Sequence, residues 1–222
     1  MSTSDNLQQI KGHLPANVKL VAVSKFHGAS AVNEAYNAGQ RIFGESRMQE
    51  LSQKQTTLPQ DIEWHFIGHL QTNKVKAIIP YTHTIHSVDS WKLLSEIEKQ
   101  ASLIQKRICC FLEIYIAQED SKYGLKLDEC RKFLTGSDWK KCKYAYIGGL
   151  MGMATFTEDT NQVRNEFKSL KRFFDELKKD FFEEDPLFCE LSMGMSDDYK
   201  IAIEEGSTMV RIGSSIFGDR EY

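Results

Sequence analysis

Short apolar runs alternate with longer stretches of helical period along nearly the whole chain. Runs of strand length occupy residues 19–24, 41–43, 64–68, 82–88, 108–117, 144–150, 187–193 and 208–217. Between them, apolar residues recurring every third or fourth position predict helices over 30–38, 46–56, 73–79, 90–105, 128–134, 159–179 and 196–204. Punctuation agrees: Gly39 ends the first helix, Pro80 stops the third, and Ser196 stands where the last needs an N-cap. Leu93, Leu94 and Ile97 share one helical face, as do Val163, Phe167, Leu170 and Phe174. A short helix is expected before the first strand.

Strands that alternate with helices imply right-handed βαβ crossovers and a parallel sheet. Eight such units fit a closed (β/α)8 barrel of the TIM type better than an open doubly wound sheet of five or six strands. No G-x-G-x-x-G turn follows the first strand, which removes the usual signature of a dinucleotide fold. The expectation is an α/β protein in which residues 1–222 form one barrel domain, a length that suits a single core.

Composition narrows the partners. A net charge of -3 and a pI near 6.1 argue against a nucleic-acid or anionic-membrane role. The Lys-rich stretch 139–143 reads as a solvated helix end, and Phe173, Phe174, Phe181 and Phe182 read as packing. No apolar run approaches the roughly 18 residues that span a bilayer, and residues 1–9 lack a signal-peptide pattern, so a cytoplasmic location is expected. Cys109, Cys110, Cys130, Cys142 and Cys189 form no C-x-x-C pair and are expected as reduced, buried thiols. Adjacent on a strand, Cys109 and Cys110 should face opposite sides. His65 and His69 flank a strand and turn, and His83 and His86 sit at odd spacing on another, so neither pair reads as a metal site.

In such a barrel the chemistry sits at the C-terminal strand ends. Those ends carry Lys25, Glu45, His69, residues 87–89, Met151, Ser192 and residues 211–214. Lys25 follows Val21-Ala22-Val23, and partial desolvation there would supply the neutral amine that imine formation with a carbonyl requires. The same position also suits a lysine that snorkels into solvent. Two small-residue turns follow the seventh and eighth strands, Ser192-Met193-Gly194-Met195-Ser196 and Gly213-Ser214-Ser215, where barrels commonly hold phosphate. Arg211 reads either as a rim ion pair or as a partner for the pyridine nitrogen of pyridoxal 5'-phosphate (PLP). Because guanidinium keeps its protons, the second role would leave that nitrogen unprotonated and restrain carbanion chemistry.

Several motifs taken together resemble the pyridoxal phosphate homeostasis protein family, the YggS/PROSC type. They are Val21-Ala22-Val23-Ser24-Lys25, Phe43-Gly44-Glu45, the run 64–74 from Trp64 to Lys74, Gly149-Leu150-Met151, the run 191–198 from Leu191 to Asp198, and the run 206–218 from Gly206 to Gly218. The resemblance implies a barrel like the alanine racemase N-terminal domain, with PLP held as a Schiff base on Lys25. It implies Arg211 facing the pyridine nitrogen, and Ser192, Gly213 and Ser214 holding the phosphate with Met193 and Ser196 close by. It also implies a monomer that buffers PLP or delivers it to apo-enzymes, without robust turnover of a substrate. Two positions depart from the family pattern. Phe26-His27-Gly28 stands where a second lysine and a proline are usual, which would pass any shuttling role to another group such as Lys122. Ser46-Arg47 replaces the usual Asn-Tyr. The alternative to a carrier is a small PLP-dependent amino-acid racemase, but Lys25 serves one face of a substrate and no second base is evident. An aldolase-like barrel with a Schiff-base lysine is a third reading.

Overall fold

The computed structural model describes residues 2–119, 123–136 and 138–218. The chain opens with α1 (Thr3–His13), where the Ser2 hydroxyl accepts from the Asp5 N–H and the Asp5 carboxylate accepts from the Ser2 N–H. Then follow β1 (Lys19–Val23), α2 (Ala29–Asn37), β2 (Ile42–Glu45), α3 (Met48–Thr57), β3 (Glu63–Phe66), a 3₁₀ turn (Thr72–Lys74) running into α4 (Val75–Ile78), and β4 (Thr84–Val88). The second half continues with α5 (Trp91–Leu103), β5 (Ile108–Ile114), α6 (Leu127–Thr135), β6 (Ala145–Gly152), α7 (Thr160–Phe181), β7 (Glu190–Ser192), α8 (Tyr199–Glu204), β8 (Met209–Ile212) and α9 (Ser214–Phe217). Every strand runs parallel to its sequence neighbour, and β8 returns to β1 from Lys19↔Met209 to Ala22↔Ile212. The expected closed eight-stranded barrel is what forms. None of its helices is long and apolar enough to cross a membrane among the described residues.

The period-two alternation of each strand divides the interior into two layers. Ala22, Phe43, Trp64, Ile85, Leu112, Leu150, Leu191 and Val210 point outward and form the main core with the helices. Val21, Phe111, Met151 and Met209 point inward and make a small apolar plug in the lumen. Cys110 belongs to the first layer and Cys109 packs on the second, so they do face opposite sides. Of the thiols expected to be buried, Cys110 and Cys130 are, Cys109 and Cys142 are half-buried, and Cys189 is exposed, because β7 begins one residue later and leaves it at the N-terminal opening.

Helix α7 shows how a local pattern becomes packing. Asp159 caps it by accepting from the N–H groups of Asn161 and Gln162, and Val163, Phe167, Leu170, Phe173 and Leu177 bury one face. Phe167 alone, fully buried, contributes about 1.5–3 kcal/mol of apolar transfer. Phe188 stacks on both Phe174 and Phe182, so these aromatics do serve packing.

Three boundaries differ from the expectation for physical reasons. The apolar run 108–117 outlasts β5, since the Tyr115 N–H turns to the Leu125 carbonyl while Ala117 is buried beyond the strand end. Ser196 does not cap α8. Gly194, at φ 95°, redirects the chain, and the helix starts at Tyr199 with Asp198 in the cap position. The final run 208–217 breaks at Gly213, after which the chain coils into the single turn of α9.

Candidate cofactor site

A cavity of about 300 Å³ opens at the C-terminal mouth of the barrel, and Lys25, Ser196, Arg211, Gly213 and Ser214 all line it. The remaining wall includes Val23, Ile67, Met153 and His27. A larger space of about 610 Å³ lies against α7, lined by groups such as Gln118, Asn161 and Glu166, with neither lysine nor arginine among the described residues that line it. Volume there is not matched by chemistry.

Lys25 stands two residues beyond the end of β1, half-buried, and the next residue locks its direction. Phe26 adopts φ 68°, a left-handed conformation costly for an aromatic residue. Two contacts hold it there: its N–H donates to Glu50 Oε2 at 2.8 Å, and the Arg47 guanidinium covers its ring at 4.2 Å. Behind the strand end lies a buried ion pair. Lys54 Nζ donates to Glu45 Oε1 at 2.6 Å and to the Ser24 carbonyl at 2.8 Å, while the Ser24 hydroxyl donates to the same Glu45 oxygen at 2.6 Å. Burial pushes the Glu45 carboxyl up to about 6, against the pull of Lys54 and Ser24. The residue before Lys25 is thus anchored through both its carbonyl and its side chain.

Across the cavity, Arg211 projects inward from β8, next to β1 in the sheet. It is 4% exposed, and burial pushes its guanidinium down to about 10. Nη1 donates to the Ser192 carbonyl at 2.9 Å and hydroxyl at 2.7 Å, and Nη2 to the Gly152 carbonyl at 3.2 Å. Among the described residues this leaves Nε–H and one Nη2–H for the cavity that Arg211 lines. Gly213 follows, and a Cβ there would sit 3.1 Å from the Val23 carbonyl oxygen, so glycine lets this turn lie close against β1. Its N–H reaches the Ser196 hydroxyl at 3.4 Å, which joins the two small-residue turns. The first N–H groups of a helical turn lack intrahelical partners, so α9 presents donors beside the Ser214 hydroxyl. A lysine amine, a cationic donor and an anion-binding turn therefore meet in one cavity, a donor set that fits PLP.

Two expected site residues do not line this cavity. The Ser192 hydroxyl is fully buried in the lumen and hydrogen-bonds to Arg211 and His86. Met193 points outward into the main core, and its N–H donates to the Met209 carbonyl. Of the departures from the family pattern, His27 lies in the cavity wall, its ring stacked on Phe217 at 5.2 Å. Lys122 lies outside the described residues.

Sequence reasoning missed the polar groups inside the barrel. Glu63 and His65 from β3, His86 from β4 and Glu113 from β5 all face the lumen. His65 Nδ1 meets His86 Nε2 at 2.9 Å, and the His86 ring packs on Phe111 with centroids 4.6 Å apart. The signal was available in phase: counting by twos from an inward residue of each strand lands on them. Lys54 also went unnoticed, since one lysine on an amphipathic helix carries no local mark of burial.

A parallel barrel with this mouth is of the alanine racemase type, and residues 2–221 match the family model described as alanine racemase, N-terminal domain. The chain is 36% identical over 208 residues to the pyridoxal phosphate homeostasis protein of Aquifex aeolicus, covering 92% of this chain and 88% of that one. Among solved structures it is similar to PipY of Synechococcus elongatus, which has been solved both with and without PLP. Without PLP, the TM-score is 0.90 at 35% identity, covering 98% of this chain and 100% of PipY. With PLP bound, the TM-score is 0.87 at 34% identity and the same coverage. The chain belongs to the pyridoxal phosphate homeostasis protein family.

Proposed function

We propose that this protein binds PLP as a Schiff base on Lys25 and serves PLP homeostasis in the cytoplasm, holding the cofactor and releasing it to apo-enzymes. The observation that carries the reading is the convergence of Lys25, Arg211 and the Ser196–Gly213–Ser214 turn on one cavity. When bound, PLP supplies an aldehyde that condenses with a neutral amine, forming a C=N bond and releasing one water.

Each group of the chain has a distinct task. The Ser24–Glu45–Lys54 anchor and the left-handed Phe26 hold the Lys25 backbone at the rim. Condensation with an aldehyde requires the neutral form of the Lys25 amine. The remaining donors of Arg211 would hold the pyridine nitrogen without protonating it, because a guanidinium gives up its proton only at high pH. Ser196, Ser214 and the backbone at Gly213 would hold the phosphate, while Val23, Ile67 and Met153, which line the same cavity, would exclude water from the ring. Ser192 acts behind Arg211 in this reading rather than on the phosphate.

Borohydride reduction of the PLP-saturated protein followed by peptide mass spectrometry tests this directly. The expected result is a pyridoxyl adduct on Lys25, with the visible absorbance band absent in Lys25→Ala. An adduct confined to other lysines would overturn it.

A further inference from the structure

Guanidinium is a donor with no acceptor, and inside this barrel that property orders a chain of groups reaching the opposite mouth. The Ser192 hydroxyl accepts from Arg211 Nη1 at 2.7 Å, so its own hydrogen must go elsewhere. The acceptor in reach is His86 Nδ1, at 3.2 Å. That nitrogen is then bare and the His86 proton sits on Nε2, which lies 2.9 Å from His65 Nδ1. His65 Nδ1 in turn accepts, and its ring proton on Nε2 points to Glu63 Oε1 at 3.3 Å. Glu63 is half-exposed and lines a cavity at the N-terminal opening, together with His65 and the Lys19–Glu190 ion pair.

The opposite direction fails. A proton on His86 Nδ1 would place two donors on the Ser192 hydroxyl, whose hydrogen would then have no further acceptor among the described residues. Burial, with the nearby Arg211 charge, also holds the His86 ring well below the ordinary histidine value, which keeps it uncharged. Arg211 itself bonds to a hydroxyl and two carbonyls rather than to a carboxylate. A line of dipoles with negative ends toward the guanidinium compensates part of the hydration lost on burial.

We propose that Ser192, His86, His65 and Glu63 form a one-way hydrogen-bond relay. It fixes both imidazoles as neutral Nε2–H tautomers and makes His86 and His65 positioning residues for Arg211. The link from Arg211 to a bound ring rests on the PLP reading above; the relay itself does not.

Long-range ¹H–¹⁵N correlation NMR of histidine-labelled protein without PLP reads which ring nitrogen carries the proton. His65 and His86 should each show a single Nε2–H pattern at neutral pH, with signals assigned through His65→Gln and His86→Leu. An Nδ1–H tautomer or an imidazolium at either ring overturns the relay. For the positioning role, His86→Leu should weaken PLP retention about tenfold, whereas His86→Asn, which keeps a donor and an acceptor, should recover most of it. Unchanged retention in His86→Leu refutes positioning. A tautomer result as expected with Lys25 unmodified would remove the PLP reading and leave the relay standing.

Discussion

Glu113 stands on the inward face of β5, two residues beyond Phe111, and its Oε2 is buried with no hydrogen-bond partner among the described residues. Burial and the nearby Asp89 push its carboxyl up to about 7, while Arg211 pulls it down. Between the ordinary glutamate value and that value, the native state binds more protons than the unfolded chain. Stability is therefore lost as pH rises through this window, by about 3 kcal/mol once the group is fully ionised. Glu113→Gln cannot ionise. Its effect on Tm should thus become more favourable by roughly 5–10 °C between pH 4.5 and pH 8. Thermal melts that shift equally at both pH values would contradict this. The Glu45–Lys54 pair differs in kind, since Lys54 and Ser24 already hold one oxygen of Glu45 and only Oε2 lacks a partner. Such residue-level features lay outside the sequence pattern: Lys25 and Arg211 were legible from their strand-end positions, whereas Glu113 required knowing that its strand face meets Arg211 across the lumen.

The loop between β7 and α8 shows what an element demands of its residues. Gly194 sits at φ 95°, and a Cβ there would come within 2.6 Å of the Ala202 Cβ and 2.9 Å of the Tyr199 Cα. Gly194→Ala should cost about 2–5 kcal/mol through backbone strain and overpacking, measured by denaturant unfolding. Gly12 in α1 has open space around its Cα, so Gly12→Ala should instead stabilise by up to about 1 kcal/mol. A Gly194→Ala protein as stable as the parent would show that α8 can shift away at little cost. This turn also separates what was readable from what was not. Helices α5 and α7 were legible from their apolar stripes, and the structure adds Ser90 and Asp159 as their N-caps. The start of α8 was not, because Gly194 bends the chain before the helix and leaves Ser196 facing Gly213 instead of a first helical turn.

At the scale of the molecule, closure of the barrel joins residues that are remote along the chain. β1 and β8 pair directly, and α1 packs beside α9, where Asn6 Nδ2 donates to the Ile216 carbonyl. Both halves of the cofactor cavity therefore depend on one seam. The main core lies between barrel and helices, and the exposed apolar side chains include Leu103, Phe156 and Tyr123. We propose a monomer, for which light scattering coupled to size exclusion should give a mass near 25.5 kDa. A mass of twice that value would refute it.

By itself the sequence determined the order and direction of the elements, because alternation of strand and helical periods permits few topologies. It also placed Lys25, Arg211 and the Gly213–Ser214 turn at the ends of strands, where a barrel concentrates its chemistry. Only the tertiary structure decided which lumen groups touch. His65 and His86 stand 21 positions apart, and His86 and Ser192 stand 106 apart. Their contacts arise from the stagger of a closed sheet, a long-range quantity that no local pattern of residues encodes.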